Sequence, residues 1–416
     1  MIINACRICG QKKLEPVLDL GMQPWCNDYQ HTDGRISEKY PLATVFCVDC
    51  STLQVQFTVP KEIMYNNHTY LSGANTSMSA HFYEIAEKCY REYNPSASFV
   101  VDIGSNDGTL LSQFQKLKLE VLGVEPCVEA SKKAVDMGIP TVNDFFDSAQ
   151  ALKIKEEFGT AGIISAANVF YHVEELHDIV KGVKILLSED GTFIIQGTYL
   201  PSLLENNEFD IIYHEHLLYY RIENLNYLLN MHGLEVFDVQ FAAVHGGSFV
   251  AYAAHKGSRV RSAEVESAIQ REHEMGLNKI QPYLDFSVRV KQLKLDIQNM
   301  LRQIVADGKT IYAYGAPAKG TVMINFCEID SDIIPFAVEV NKEKIGTYIP
   351  GTSIKVLDEV AVEEPDYYFL LSWNFLDLFK QSEAYLSGRR KFIVPVPSVK
   401  MEYIDMGAES KPHVTD

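Results

Sequence analysis

Apolar and polar positions along the chain change their rhythm three times. Over residues 1–60 they show little helical periodicity, and the stretch reads as short, turn-rich and cysteine-bearing. From about residue 78 to 256, apolar runs at 99–101, 121–124, 162–164 and 192–195 predict strands. Helix-like stretches such as 128–137 and 173–187 separate them. Strands that alternate with helices imply a parallel sheet covered on both faces. The runs at 235–239 and 248–252 lie too close for a crossover helix, so they predict an antiparallel pair. Residues 258–307 are polar and helix-favouring, with apolar positions at Leu293, Ile297, Leu301 and Ile304, and read as linker helices. Strand–helix alternation then restarts, with runs at 310–314, 334–338, 367–371 and 391–394. The pattern therefore predicts an α/β protein divided at 1–60, 61–257, 258–307 and 308–416.

Composition narrows the partners. A chain of 416 residues, 47% hydrophobic, has ample material for two or three cores. A formal charge of −18, with no long Lys/Arg run, excludes nucleic acid as the main partner. A nucleotide-sized ligand stays compatible, because a pocket can be locally positive. No segment approaches the roughly 20 apolar residues of a bilayer span. The start, Met1-Ile2-Ile3-Asn4-Ala5-Cys6, lacks the charged and apolar regions of a signal peptide. A soluble cytoplasmic protein without membrane partners is expected, as a monomer or a simple homo-oligomer.

Four of the eight cysteines form two C-x-x-C knuckles, Cys6/Cys9 and Cys47/Cys50, separated by 37 residues. One knuckle alone is compatible with redox chemistry. Two of them predict a tetrahedral sulfur site for structural zinc, since four thiolates leave the metal no open position. Cys26, Cys89, Cys127 and Cys327 lack such spacing and are expected to pack.

The run Val100-Val101-Asp102-Ile103-Gly104-Ser105-Asn106-Asp107-Gly108-Thr109 is an apolar strand, a glycine turn and a helix start. Glycines 104 and 108 let backbone approach a ligand at the carboxyl end of a strand. Glu125 ends the next strand, 21 residues after Gly104, placed to accept from ribose hydroxyls. A dinucleotide site shares this logic, but the G-x-G-x-x-G spacing is absent, and Asp102 and Asp107 would repel a pyrophosphate. Adenosylmethionine, whose ammonium group suits Asp102, fits these charges better.

Tyr213-His214-Glu215-His216-Leu217-Leu218-Tyr219-Tyr220 is the densest run of titratable and polar aromatic side chains. Two histidines flanking a glutamate suit an acid/base pair, metal ligation or a hydrogen-bonded corner; the position after the 192–195 strand favours acid/base chemistry. A second glycine loop, Tyr314-Gly315-Ala316-Pro317-Ala318-Lys319-Gly320, also opens a helix. Its lysine suits a diphosphate, the alternative being a plain turn with a solvated lysine. Trp373 is one of two tryptophans and suits either base stacking or core packing.

Taken together, the knuckles, the Asp-Ile-Gly-Ser-Asn-Asp-Gly loop, the Tyr-His-Glu-His run and the Gly-Ala-Pro-Ala-Lys-Gly loop resemble one family. So do Pro350-Gly351-Thr352 and Ser372-Trp373-Asn374. The family is the adenosylmethionine-dependent C-methyltransferases of thymidine-diphosphate 4-keto-deoxysugars, and the resemblance spans essentially the whole chain. It implies a small N-terminal zinc-binding domain, a central class I methyltransferase Rossmann-like domain and a C-terminal Rossmann-like α/β domain. The sugar nucleotide would be held between the last two. It also implies roles: His216 as general base, with Tyr213, Glu215, Tyr70 and His172 as active-site partners. Asp102, Gly104, Ser105, Asn106, Asp107, Gly108, Glu125, Pro126 and Asn168 would hold the methyl donor. Gly315, Ala316, Lys319, Trp373 and Asn374 would hold the substrate. The alternative activity on the same framework is O- or N-methylation of a nucleotide sugar.

Overall fold

In chain order the strands are β1 (Leu14–Pro24), β2 (Lys39–Cys47), β3 (Leu53–Val55), β4 (Phe99–Ile103), β5 (Glu120–Val124), β6 (Thr141–Val142), β7 (Ala161–Ala167), β8 (Leu187–Thr198) and β9 (Leu218–Tyr219). They continue as β10 (Leu234–Ala242), β11 (Ser248–His255), β12 (Ile311–Tyr314), β13 (Phe336–Glu339), β14 (Lys355–Asp358), β15 (Tyr367–Leu370), β16 (Phe392–Val394) and β17 (Lys400–Glu402). This computed structural model describes residues 1–60, 73, 76–93 and 99–404. The chain packs as two units, each gathered from three segments. The first takes Met1–Val17, Thr44–Ser202 and Glu215–Tyr283; the second takes Leu18–Ala43, Leu203–His214 and the chain from Leu284 onwards.

A four-stranded sheet in the order β1-β2-β3-β9 organises the N-terminal section. That section is less turn-rich than its sequence predicts, since β1 and β2 run 11 and 9 residues. Pro16, Gly21 and Pro24 read as breakers, yet an outer strand leaves such positions free of ladder demands.

The first unit is built on a seven-stranded sheet, β10-β11-β8-β7-β4-β5-β6. β4 runs parallel to β5 and β7, and β7 to β8. Both faces are buried: Val101, Ile103, Leu122 and Ile164 enter one core, Val100, Val121, Ile163 and Ile194 the other. Double burial is why the strands appear as unbroken apolar runs and not as alternation. The expected pair at 235–239 and 248–252 is antiparallel, Val239 facing Ala251.

The second unit carries the sheet β14-β13-β12-β15-β16-β17, parallel except for β17. β14 and β17 escape the sequence pattern because they are short and largely polar. The 258–307 region holds two helices, Ala263–Glu274 and Gln281–Ala306, and all four of its expected apolar positions are buried. Among the described residues no helix is long and apolar enough to cross a membrane.

In each main sheet the first strand, β4 or β12, lies between the second and fourth. The loops after β4 and β12 therefore leave where the winding reverses, the place where α/β sheets open a ligand crevice.

Candidate functional site

The sulfurs of Cys6, Cys9, Cys47 and Cys50 all lie within 4.8 Å of one another. Each knuckle makes the same turn. Gly10 N donates to Cys6 O (2.9 Å) at φ +70°, and Ser51 N donates to Cys47 O (2.8 Å) at φ +56°. Sγ–Sγ distances of 3.5 Å for Cys6–Cys50 and Cys9–Cys47 come close to the roughly 3.8 Å edge of a tetrahedron of sulfurs about 2.3 Å from a zinc ion. The Cys50 contact pushes the Cys6 thiol down to about 5, while burial lifts Cys9 to about 12. The donor set fits zinc and leaves no open coordination position, which is a structural site.

Behind β4 the backbone turns at Gly104 (φ +66°), whose Cβ, were there one, would stand 2.5 Å from Val169 Cγ2. Gly104 N donates to Val124 O (2.8 Å), and Gly108 (φ +77°) opens the helix Thr109–Lys116. Glu125 is buried. Its Oε2 accepts from Asn106 N (2.8 Å) and its Oε1 from Cys127 N (2.7 Å). Asp107 accepts from Thr109 Oγ1 (2.6 Å) and Gly73 N (2.8 Å), tying the loop to the chain ahead of the sheet. Asp102 is buried beneath the loop, accepting from Ser165 Oγ (2.6 Å), and burial lifts its pKa to about 7. A cavity of about 1100 Å³ opens here, lined among others by Gly104, Asn106, Glu125, Pro126, Val169 and His172. Ser105 is buried, and Asn168 turns the end of β7 at φ +59°.

The same cavity wall leads to the histidines. His172 Nδ1 lies 2.7 Å from Glu215 O, so Nδ1 carries a hydrogen. The His216 ring is buried, 4.5 Å from Tyr171 and 5.1 Å from His172, centroid to centroid. Leu217 N donates to Tyr171 O (2.7 Å), locking the two segments together. The run divides at its middle. Glu215 and His216 belong to the first unit, whereas Tyr213 and His214 belong to the second, where His214 packs edge-on to Tyr40. Tyr70 lies outside the described residues.

In the second unit the loop after β12 repeats the first loop's construction. Gly315 (φ +81°) donates to Val338 O (2.9 Å), and Ala316 N donates to Glu339 Oε2 (2.8 Å). Lys319, in the first turn of the helix Ala318–Phe326, donates to Asn374 Oδ1 (2.6 Å). Its Nζ stands 3.6 Å from the centre of the Trp373 ring, and Trp373 Nε1 donates to Asp210 Oδ2 (2.7 Å). Burial pushes Lys319 down to about 8 and Glu208 up to about 8; Asp210 is also raised by burial. The Asp210 and Glu208 carboxyls work against that burial and favour the charged lysine.

Three family models match this chain in succession. A zinc binding domain covers residues 6–65, a methyltransferase domain residues 79–239, and a C-methyltransferase C-terminal domain residues 243–397. The C-methyltransferase NovU of Streptomyces niveus is 30% identical over 407 residues, spanning 96% of this chain and 97% of its own length. The chain belongs to the C-methyltransferase family. Among solved structures, an SAM-dependent methyltransferase of Anabaena variabilis is 17% identical over 43% of this chain and 86% of its own, with a TM-score of 0.34. One of Clostridium acetobutylicum is 17% identical over 44% and 93%, with the same TM-score of 0.34.

As an adenosylmethionine-dependent C-methyltransferase, the protein has the zinc-binding section and the donor-binding sheet that its sequence predicts. Sequence reasoning missed Glu339, although the signal was there. It ends an apolar strand 24 residues after Gly315, much as Glu125 follows Gly104. It also missed Ser165, Glu208 and Asp210, which no motif marks and only folding brings to Asp102 and Lys319.

Proposed function

We propose that this C-methyltransferase acts on a nucleotide-linked 4-keto-deoxysugar at carbon 3 or 5, with dTDP the nucleotide that the motif resemblance favours. The observation that carries the reading is the His216 ring, seated against Tyr171 and His172, with His172 lining the cavity over the donor loop. A sugar carbon becomes nucleophilic only beside a carbonyl. His216, neutral near pH 7, takes the proton from the carbon next to the ketone. The C–H electron pair becomes the enolate, whose oxygen is stabilised by hydrogen bonds from the tyrosine and histidine side chains, with Tyr70, Tyr213 and His172 the candidates. Adenosylmethionine, when bound, supplies the electrophilic methyl group that the enolate carbon takes. Asp102 answers its ammonium group, Glu125 its ribose hydroxyls, and the loop from Gly104 to Gly108 its close approach to backbone.

Lys319, Trp373 and Asn374 supply a cation, an aromatic face and an amide for the nucleoside diphosphate, with Gly315 and Ala316 giving backbone access. Four thiols gathered for zinc fit a reducing cytoplasm. Nucleotide 4-keto-sugars incubated in deuterium oxide with enzyme and no donor test the reading. Deuterium should enter at the carbon beside the ketone, and added donor should give a carbon–methyl product by NMR. Methylation at oxygen or nitrogen without any exchange overturns it.

A further inference from the structure

We propose that Arg7, between the two cysteines of the first knuckle, is a positioning residue for the His172–His216 pair. The functional meaning of that pair rests on the reading of His216 as the base, whereas the geometry stands without it. The Arg7 side chain is only 3% exposed. Its Nε and Nη2 donate to Glu174 Oε2 and Oε1, both at 2.9 Å, a two-pronged pair that a lysine cannot copy. Its Nη1 donates to Val55 O (2.6 Å) and its Nη2 also to Thr58 Oγ1 (2.8 Å).

Each of those partners leads to one histidine. Glu174 lies two residues beyond His172 on the same segment. Val55 N donates to Leu217 O (2.9 Å), the residue after His216, and β3 pairs with β9 just beyond it. One guanidinium therefore fixes the 171–174 segment through its carboxylate and the 215–218 segment through β3. The segments also meet each other through Leu217 N–Tyr171 O, His172–Glu215 O, Tyr220–Phe170 O and ring packing. β3 also holds the arginine's own backbone, with Arg7 N donating to Gln54 Oε1 (3.1 Å). Burial by itself would raise the Glu174 carboxyl, but the Arg7 hydrogen bonds and charge outweigh it and hold the group below its usual range. The two parallel bonds make the contact directional, as a positioning contact requires.

The test compares wild type with Glu174→Gln, which keeps the shape and loses the charge, and Arg7→Lys, which keeps the charge and loses the fork. Zinc content, adenosylhomocysteine affinity, imidazole ¹⁵N spectra and kcat are read together. In Glu174→Gln we expect one zinc per chain, affinity within about threefold of wild type, and a fall in kcat of roughly 10–100-fold with a smaller change in KM. The His172 and His216 resonances and titration midpoints should move while those of the distant His273 stay. Unmoved His172 and His216 resonances in folded, zinc-loaded Glu174→Gln overturn the proposal. So does a defect confined to Arg7→Lys and accompanied by zinc loss, which would make Arg7 a brace for the knuckle alone. If the resonances move but wild type turns over no keto-sugar, the positioning stands and the substrate reading fails.

Discussion

Ser165 donates its hydroxyl to Asp102 across two parallel strands, β7 and β4, at 2.6 Å and out of reach of bulk water. That single neutral donor does not compensate a buried carboxylate, so desolvation dominates and the group titrates near 7 instead of 3.8.

The first prediction follows from the sign of that shift. The folded value stands above the unfolded one, so the folded protein holds the extra proton between about pH 4 and 7, and stability falls as pH rises through that window. Asp102→Asn should flatten the dependence of Tm on pH there. It should also weaken adenosylhomocysteine by roughly tenfold or more above neutrality, where the wild-type carboxylate is charged and attracts the ligand's ammonium group. Calorimetric affinity that is unchanged in the variant would remove Asp102 from donor binding.

Zinc should copurify at one ion per chain. Cys47→Ser removes one of four ligands, so it should lose the metal and destabilise the sheet that β3 shares with β9. Elemental analysis and thermal unfolding read both effects. A fully stable variant without metal would contradict a structural role.

His216→Asn should retain both ligands and lose roughly 10²- to 10⁴-fold in kcat, the contribution of a positioned base. His214→Asn should act differently. That ring is buried in the second unit with Nε2 3.2 Å from Pro41 O, so its loss should cost about 1–3 kcal/mol of stability and leave most of kcat. Equal kcat losses in two well-folded variants would place the base elsewhere, with His172 and Tyr70 next to be tested.

Lys319, pushed by burial down to about 8 from an ordinary 10.5, loses its charge as pH passes through 8. The KM for the nucleotide sugar should therefore rise above that pH. Lys319→Arg keeps its charge and should abolish the rise, while Lys319→Met should raise KM roughly tenfold or more at every pH. A wild-type KM that stays flat through this range would detach the lysine from the diphosphate.

The sequence by itself determined the strands at the centre of both sheets, because residues buried on two faces must be apolar in unbroken runs. It also determined the four-cysteine cluster and the glycine loop after β4, since both depend on spacing within a few residues: two sulfurs per turn, and a glycine wherever backbone must pass close to a neighbour. Glu125 was legible for the same reason, at a fixed distance along one strand–helix–strand unit.

The tertiary structure alone decided the rest. β1 was hidden by Pro16, Gly21 and Pro24, because an outer strand tolerates residues that a central one rejects. His214 and His216 look equivalent two residues apart, yet they are buried in different units with different partners, which no local pattern encodes. Arg7 and Glu174 lie 167 residues apart, and Asp102 and Ser165 lie 63 apart. A buried charge takes whichever partner the packing of distant segments delivers, so its role and its pKa become fixed only when the chain has folded.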